Sequence, residues 1–269
     1  DLTPFSKFEI KSDKAHQELQ KICTANIKNE PGKCVYTHML NSDGGIETDL
    51  TVVCVDKNHF RIISSAATRE RDKFHINKHL SKNVELKDIT DDLCVFGLFG
   101  PKSRDLLKTL SEDNFENDQF KFGFAKFITI DGVKIWTQRL SYVGELGYEL
   151  YVDLKDAKKI YELLIEKGKD FNLSNCGMHA MDIMRMESGF LHWGHDISPE
   201  ENQYQAGLAF TISNKKDVDF IGKQALEKIK QDKVKTRFSM FTLKESEPGK
   251  PLLLHDEPIY DGEKIIGRS

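Results

Sequence analysis

Cysteine is sparse and unpatterned. The five, Cys23, Cys34, Cys54, Cys94 and Cys176, are odd in number and contain no C-x-x-C pair. That argues against a disulfide framework and a structural zinc site, and it fits a reducing compartment. Long apolar runs are missing too; none approaches the roughly 20 residues that a bilayer crossing needs. Neither sign of charge dominates: 39 Lys and Arg stand against 43 Asp and Glu, a net of −4. No basic surplus or stripe therefore points to nucleic acid. There is no G-x-G-x-x-G and no P-loop, and Gly97-Leu98-Phe99-Gly100-Pro101 has the wrong spacing for either. The chain thus has no recognisable nucleotide fingerprint of its own. The start, Asp1-Leu2-Thr3-Pro4, shows neither an initiator Met nor a basic-then-apolar leader. These absences predict a protein that engages neither nucleic acid nor membrane, in the cytoplasm or, in a eukaryote, the mitochondrial matrix.

What is present is enough for a sizeable core. The 269 residues are 39% hydrophobic, which suits one large domain or two to three small ones. Strand-like segments are expected at 5–10, 34–40, 50–55 with 60–63, 84–86, 93–99 and 148–152. Asn41-Ser42-Asp43-Gly44-Gly45 is a strong turn signal. The pair 124–130 and 133–140, joined by Asp131-Gly132, is the clearest hairpin, because Asp-Gly suits a type I′ turn. Helical spacing appears at 14–23, 66–80, 100–110, 157–167, 177–188 and 220–229. Asn175 is placed as an N-cap of the 177–188 helix. From Arg237 the pattern turns to strands, with a second Asp-Gly hairpin at Asp261-Gly262, and the stop at Ser269 reads as an interrupted hairpin. Strands and helices mix without βαβ alternation, so the fold class is α+β with mostly antiparallel sheets.

Three segments carry candidate chemistry. Asp49 stands at the entry of an apolar strand, where acids are uncommon. It reads either as a turn-proximal cap or as a partly buried acid that steadies a cation or moves a proton. Ser141-Tyr142-Val143-Gly144-Glu145-Leu146-Gly147-Tyr148-Glu149-Leu150 places two acids four residues apart, on one face if the strand is continuous. It reads as a bulged strand with solvated acids, or as a carboxylate accepting paired N–H groups of a heterocycle. His192-Trp193-Gly194-His195-Asp196 has metal-type side chains but no third partner at a familiar spacing, so no metal site is expected.

Several segments together resemble one family. Tyr36-Thr37-His38-Met39-Leu40-Asn41-Ser42-Asp43-Gly44-Gly45-Ile46-Glu47-Thr48-Asp49-Leu50-Thr51-Val52 resembles the folate-binding region of sarcosine and dimethylglycine dehydrogenases. So do Leu98-Phe99-Gly100-Pro101-Lys102-Ser103-Arg104, the run 140–150, and the segment 181–193. Ala206-Gly207-Leu208 and Phe220-Ile221-Gly222-Lys223-Gln224-Ala225-Leu226 follow in the same order. The wider superfamily is that of the glycine cleavage aminomethyltransferase, or T-protein.

The resemblance implies a three-lobed folate-binding fold. Its first lobe would take residues 1–48 and 118–234, its second 49–117, and a truncated β-barrel lobe would begin at 235. It implies an enzyme that uses tetrahydrofolate to trap the one-carbon unit of an oxidised N-methyl amino acid, sarcosine or dimethylglycine, as 5,10-methylenetetrahydrofolate. FAD would belong to an oxidase or dehydrogenase domain upstream, absent here, or to a subunit. Asp49 falls on the catalytic aspartate. Tyr142, Glu149 and Arg185 fall on folate-binding positions, with Glu149 accepting from the pterin N–H groups.

Two positions depart from the pattern. Gln203-Tyr204-Gln205 replaces Pro-Leu-Glu, and Thr48 replaces the first of two adjacent aspartates common in T-proteins. The second change favours the dehydrogenase branch. A free-standing aminomethyltransferase acting on a lipoylated carrier, and a non-catalytic regulatory relative, are the alternatives.

Overall fold

Period-two alternation of apolar residues builds two antiparallel sheets. In the computed structural model, which describes residues 1–269 except Glu245, Ser246 and Pro248, the chain forms two units, Asp1–Phe238 and Ser239–Ser269. The first sheet contains β1 (Ser6–Lys11), β2 (Cys34–Leu40), β3 (Ile46–Asp56), β4 (His59–Ser64) and β5 (Leu86–Asp88), in the order β2-β3-β4-β1-β5. The second contains β6 (Leu93–Phe99), β7 (Ala125–Ile130), β8 (Val133–Gln138) and β9 (Gly147–Asp153), in the order β6-β9-β8-β7. Every strand pairing in these sheets is antiparallel, as the α+β reading expects.

Each sheet buries one face against helices. Leu50, Val52, Phe60 and Ile62 pack with Ala15, Leu19 and Ile22 of α1 (Ala15–Ile22) and Ile76 of α2 (Arg69–His79). Ile128, Ile135, Tyr148 and Leu150 pack with Leu106 and Leu107 of α3 (Ser103–Leu110) and Ile160 and Leu164 of α4 (Leu154–Gly168). The opposite faces meet each other. Cys34 and Val53 of the first sheet share a core with Val95, Ala125, Trp136 and Tyr151 of the second. The result is helix, sheet, sheet, helix, with polar groups able to line the inner seam. Burying an apolar side chain contributes roughly 1.5–3 kcal/mol, so all three cores hold this layering.

The later helices, α5 (Met178–Glu187) and α6 (Lys223–Asp232), finish the first unit. Met181 of α5 reaches the inter-sheet core, and Leu226 of α6 packs with Leu40, Ile46 and Ile197. The turn between β2 and β3 is tied by Asn41, whose Oδ1 accepts from Asp43 N at 3.0 Å and Gly45 N at 2.9 Å. A Cβ on Gly45 would lie 1.8 Å from the Pro199 carbonyl oxygen. Gly45→Ala is therefore expected to destabilise by about 2–3 kcal/mol, read as a lower thermal midpoint. An unchanged midpoint would mean that the segment around Pro199 yields freely.

Some local expectations need correction. Asn175 is not the cap of α5: Gly177 occupies that position, and Asn175 Nδ2 donates to Tyr161 Oη at 2.8 Å. The last helix starts at Lys223 because Gly222 before it is left-handed, at φ +79°. Asp131 and Gly132 have φ of +46° and +78°, as a type I′ turn requires. In the second unit, the strands expected from Arg237 reduce, among the described residues, to one hairpin, β10 (Pro258–Asp261) with β11 (Lys264–Arg268). The expected strand pattern also runs across Glu245, Ser246 and Pro248, outside the described residues. Met240, Phe241 and Leu252 are exposed, so no second layer covers them, and no closed barrel forms among the described residues.

Candidate active site

Strand pairing sets one wall of the inner seam. In the β2–β3 ladder His38 lies directly opposite Asp49. Cys34, Tyr36 and His38 alternate along β2 and so share the inner face. Tyr36 Oη donates to Asp49 Oδ2 at 3.1 Å and stands 3.3 Å from His38 Nε2. Behind it, His38 Nδ1 lies 3.0 Å from Thr211 Oγ1 and 3.2 Å from Gln203 Nε2. His38 and Gln203 are wholly enclosed. Burial alone holds the His38 imidazole down at about 3, so the ring is neutral.

Asp49 is half-buried: protein surrounds its carboxyl group, yet part of it still meets solvent. Burial lifts it to about 7, the charge of Asp72 adds to the lift, and the bond from Tyr36 opposes it. Asp72 sits deeper and accepts from Ser64 Oγ and Thr68 Oγ1, each at 2.7 Å, and from Thr48 Oγ1 at 3.2 Å. Position 48 is thus built for a hydroxyl donor. An aspartate there would set a second carboxylate against Asp72.

The facing wall comes from β9 and β8. Glu149 and Tyr151 project to the inner face, and Tyr151 Oη donates to Glu149 Oε2 at 2.8 Å. Burial lifts Glu149 to about 7, against that bond. The Glu149 charge in turn helps to push the Cys34 thiol upward, after burial, which places this carboxylate across the seam from β2. Opposite Glu149 in the ladder is Gln138. Gln138 is fully buried, and neither its Oε1 nor its Nε2 has a hydrogen-bond partner among the described residues. Glu145 does not share this face; it lies in the exposed bend before β9, beside Gly144 at φ +73°.

The rim is held by the loop at 190–196. Tyr142 Oη donates to the Leu191 carbonyl at 2.8 Å, and its ring stacks with Phe190, centroids 6.2 Å apart. Burial raises the Tyr142 phenol, which also senses Arg185 and Asp49. Arg185, buried on α5, donates from Nε to Asp182 Oδ1 at 2.7 Å and from NH1 to the Phe190 carbonyl at 3.1 Å and to Asp196. Asp196 also accepts from His192 N at 2.8 Å. The loop is pinned to β3 by Trp193 Nε1 on the Ile46 carbonyl at 2.9 Å, and Arg71 covers the Trp193 ring at 4.7 Å.

The structure thus brings Asp49 and Tyr142 into one electrostatic neighbourhood, with Arg185 behind Tyr142 and Glu149 on the facing wall. Gln205 turns into its own loop: its Oε1 accepts from Asn202 N at 3.1 Å, and its Nε2 donates to Thr236 Oγ1 at 3.0 Å. Sequence reasoning had assigned no role to Tyr36, His38, Gln138, Tyr151 or Gln203. The available signal was polar residues at alternate strand positions facing Asp49 and Glu149. Two carboxyl groups that titrate near neutrality, without an ion-pair partner among the described residues, suit proton handling and the binding of a ligand rich in N–H donors.

Comparison with known proteins gives the site a context. The model of the GCVT N-terminal domain matches residues 1–216. The chain is 35% identical over its whole length to 4-methylaminobutanoate oxidase (formaldehyde-forming) of Paenarthrobacter nicotinovorans, covering 32% of that protein. It is 32% identical to human mitochondrial dimethylglycine dehydrogenase, over 100% of this chain and 31% of that one. The aminomethyltransferase of Halothermothrix orenii is 32% identical over 99% of this chain and 73% of its own. The chain thus spans about a third of the length of the oxidase and dehydrogenase relatives. The crystal structure of glycine cleavage system aminomethyltransferase T from Bartonella henselae superposes with a TM-score of 0.76 at 20% identity, covering 86% of this chain and 62% of that one. The shared fold explains the packed pair of antiparallel sheets.

Proposed function

We propose, since the chain belongs to the GCVT N-terminal domain family, that its inner seam binds tetrahydrofolate and that Asp49 serves one-carbon transfer to it. The one-carbon unit would come from an N-methyl amino acid, sarcosine or dimethylglycine, oxidised by a flavin-containing domain or subunit outside this chain. The product would be 5,10-methylenetetrahydrofolate. One observation carries this reading: two half-buried carboxyls, Asp49 and Glu149, line opposite walls of one seam without an ion-pair partner among the described residues, both lifted to about 7.

The residues present fit the cofactor. A pterin ring offers adjacent N–H donors, which a carboxylate accepts in pairs. Glu149 has one oxygen steadied by Tyr151, and Gln138 beside it has an amide without a partner among the described residues. Tyr142 and Phe190 supply an aromatic wall, and Arg185 positions both by holding their loop. A bound tetrahydrofolate supplies the nucleophilic nitrogens that take up the one-carbon unit. Asp49, as carboxylate, favours a cationic iminium donor. Near neutrality it is divided between its two protonation states, so it can also give or take a proton at Oδ2. A bound tetrahydrofolate filling the seam would exclude water and so limit hydrolysis of the donor to formaldehyde.

The second reading, aminomethyl transfer from a carrier protein, is favoured by the match across most of the bacterial aminomethyltransferase. The hydroxyl-fitted site at Thr48 weighs against it. Calorimetric titration with tetrahydrofolate from pH 5.5 to 8.5 tests the shared core of both readings. If Glu149 must be ionised to bind, affinity should fall about tenfold per pH unit below roughly 7. Asp49→Asn should keep that slope, and Glu149→Gln should flatten it. No binding at pH 8 by a folded sample would overturn the proposal. Transfer to a lipoylated carrier, assayed separately, would move the assignment to the second reading.

A further inference from the structure

Asp49 is one end of a chain of hydrogen bonds that passes through the partly exposed Tyr36 to the enclosed His38. From Asp49 Oδ2 it passes to Tyr36 Oη at 3.1 Å, to His38 Nε2 at 3.3 Å, and from His38 Nδ1 to Thr211 Oγ1 at 3.0 Å. Its inner end is closed by hydroxyl and amide groups. Thr211 Oγ1 donates to the Leu208 carbonyl at 2.7 Å, and Gln203 Nε2 donates to Thr211 Oγ1 at 2.8 Å and Thr24 Oγ1 at 2.9 Å. These links join residues 165 and 173 positions apart, from β2 to the loop at 203–211. The enclosed ring can exchange its donor and acceptor ends, as the hydroxyls on either side of it can.

The directions along the chain are not independent. A tyrosine hydroxyl has one proton. When Asp49 is ionised, that proton points at Oδ2, so Tyr36 can only accept from His38. The ring must then carry its proton on Nε2, and Nδ1 accepts, with the Gln203 N–H at 3.2 Å or the Thr211 hydroxyl as donor. When Asp49 is protonated, its own hydroxyl donates to Tyr36 Oη. Tyr36 then donates to Nε2, and Nδ1–H donates to Thr211 Oγ1, which still reaches the Leu208 carbonyl. Both arrangements leave every ring nitrogen satisfied, and His38 carries one proton in each. Mixed arrangements set two lone pairs or two protons against each other, or turn the partly exposed Tyr36 hydroxyl to solvent and leave Nε2 of the enclosed ring without its partner.

We infer that His38 is a positioning residue for Asp49: its neutral ring switches tautomer with the protonation state of the aspartate, through Tyr36. The charge change stays at Asp49, while the protein behind it re-aligns its dipoles to suit either form. This makes both protonation states of the acid well supported, as a group that must give and take a proton requires. Other groups bear on the same carboxyl without joining the chain. Asp72 approaches from α2, and Tyr142 from the loop before β9, with Arg185 of α5 behind Tyr142. The inference builds on the role proposed for Asp49, yet its test needs no folate. Failure of the switch would therefore leave folate binding standing, and the reverse also holds.

The test is nitrogen-15 NMR of the ring nitrogens in histidine-labelled, ligand-free chain between pH 5.5 and 8.5. The nine histidines are separated by subtracting the spectrum of His38→Gln. In the wild-type chain the His38 ring should stay neutral throughout and pass from mainly Nδ1–H to mainly Nε2–H as pH rises through the titration of Asp49. Tyr36→Phe and Asp49→Asn should each abolish that pH dependence. A ring that keeps one tautomer at every pH, or gains a second proton near pH 6–7, would overturn the inference. Correlation of the His38 ring to its own assigned backbone identifies the signal in the wild-type chain as well, so a poorly folding variant does not spoil the test.

Discussion

Asp49→Asn is expected to lower formation of 5,10-methylenetetrahydrofolate by about a thousandfold, while tetrahydrofolate affinity changes less than about threefold. The asymmetry follows from position. Asp49 is on β3, across the seam from Glu149, so the amide change leaves the pterin-facing wall intact. What it removes is the negative charge and the exchangeable proton at Oδ2, both needed only as the one-carbon unit moves. The assay is single-turnover product formation with the one-carbon unit supplied by the proposed flavin-containing domain or subunit. A loss below about tenfold would place proton handling elsewhere.

The same substitution should stabilise the chain in alkaline solution. The folded-state carboxyl of Asp49 is lifted from 3.8 to about 7, so folding opposes its ionisation. That destabilisation is absent below about pH 4, grows between pH 4 and 7, and is complete above 7. Complete burial would make it about 4 kcal/mol, and the remaining solvent access lowers it to about 2 kcal/mol. Asn cannot ionise, so Asp49→Asn should melt higher than the wild type at pH 8 and no higher at pH 4. A protein that accepts this cost at a residue with no ion pair among the described residues is keeping the acid for its chemistry.

The legibility of this molecule in its sequence follows the range of the interactions involved. Strand and turn signals are local, so Cys34–Leu40, Leu93–Phe99 and the Asp131-Gly132 turn could be read directly. Asp49 stands out because an acid is uncommon at the entry of an apolar strand, and Glu149 because the family resemblance singles it out from Glu145. Their partners did not stand out. Gln203 meets His38 across 165 positions and Thr24 across 179, and no periodicity links such distant residues. Glu145 matches Glu149 on spacing alone, but the bend at Gly144 takes it out of the strand. Asn175 was a plausible cap by type, but Gly177 lies at the helix start. The segment after Arg237 has strand-like alternation, yet alternation becomes a sheet only where another layer covers the apolar side.

Glu149→Ala is expected to weaken tetrahydrofolate binding by about a hundredfold to a thousandfold at pH 8. Two charge-assisted hydrogen bonds to a buried carboxylate contribute roughly 1.5–3 kcal/mol each, and their loss also strands the N–H donors of the ligand. Glu149→Gln should fall between, since an amide can accept one bond but presents its own N–H to the second donor. The deficit should shrink at pH 5.5, where the wild-type carboxyl is itself mostly protonated, at about 7 when unliganded. Unfolding does not explain such a loss. Removing a carboxyl that folding holds above its ordinary value relieves the folded state at pH 8, so the variant should melt no lower once the small cavity and the unpaired Tyr151 hydroxyl are offset. Binding curves and thermal midpoints measured on the same samples separate the two effects. Equal affinity for wild type and Glu149→Ala, both folded, would move the pterin to a different wall and leave Gln138 without the ligand proposed for it.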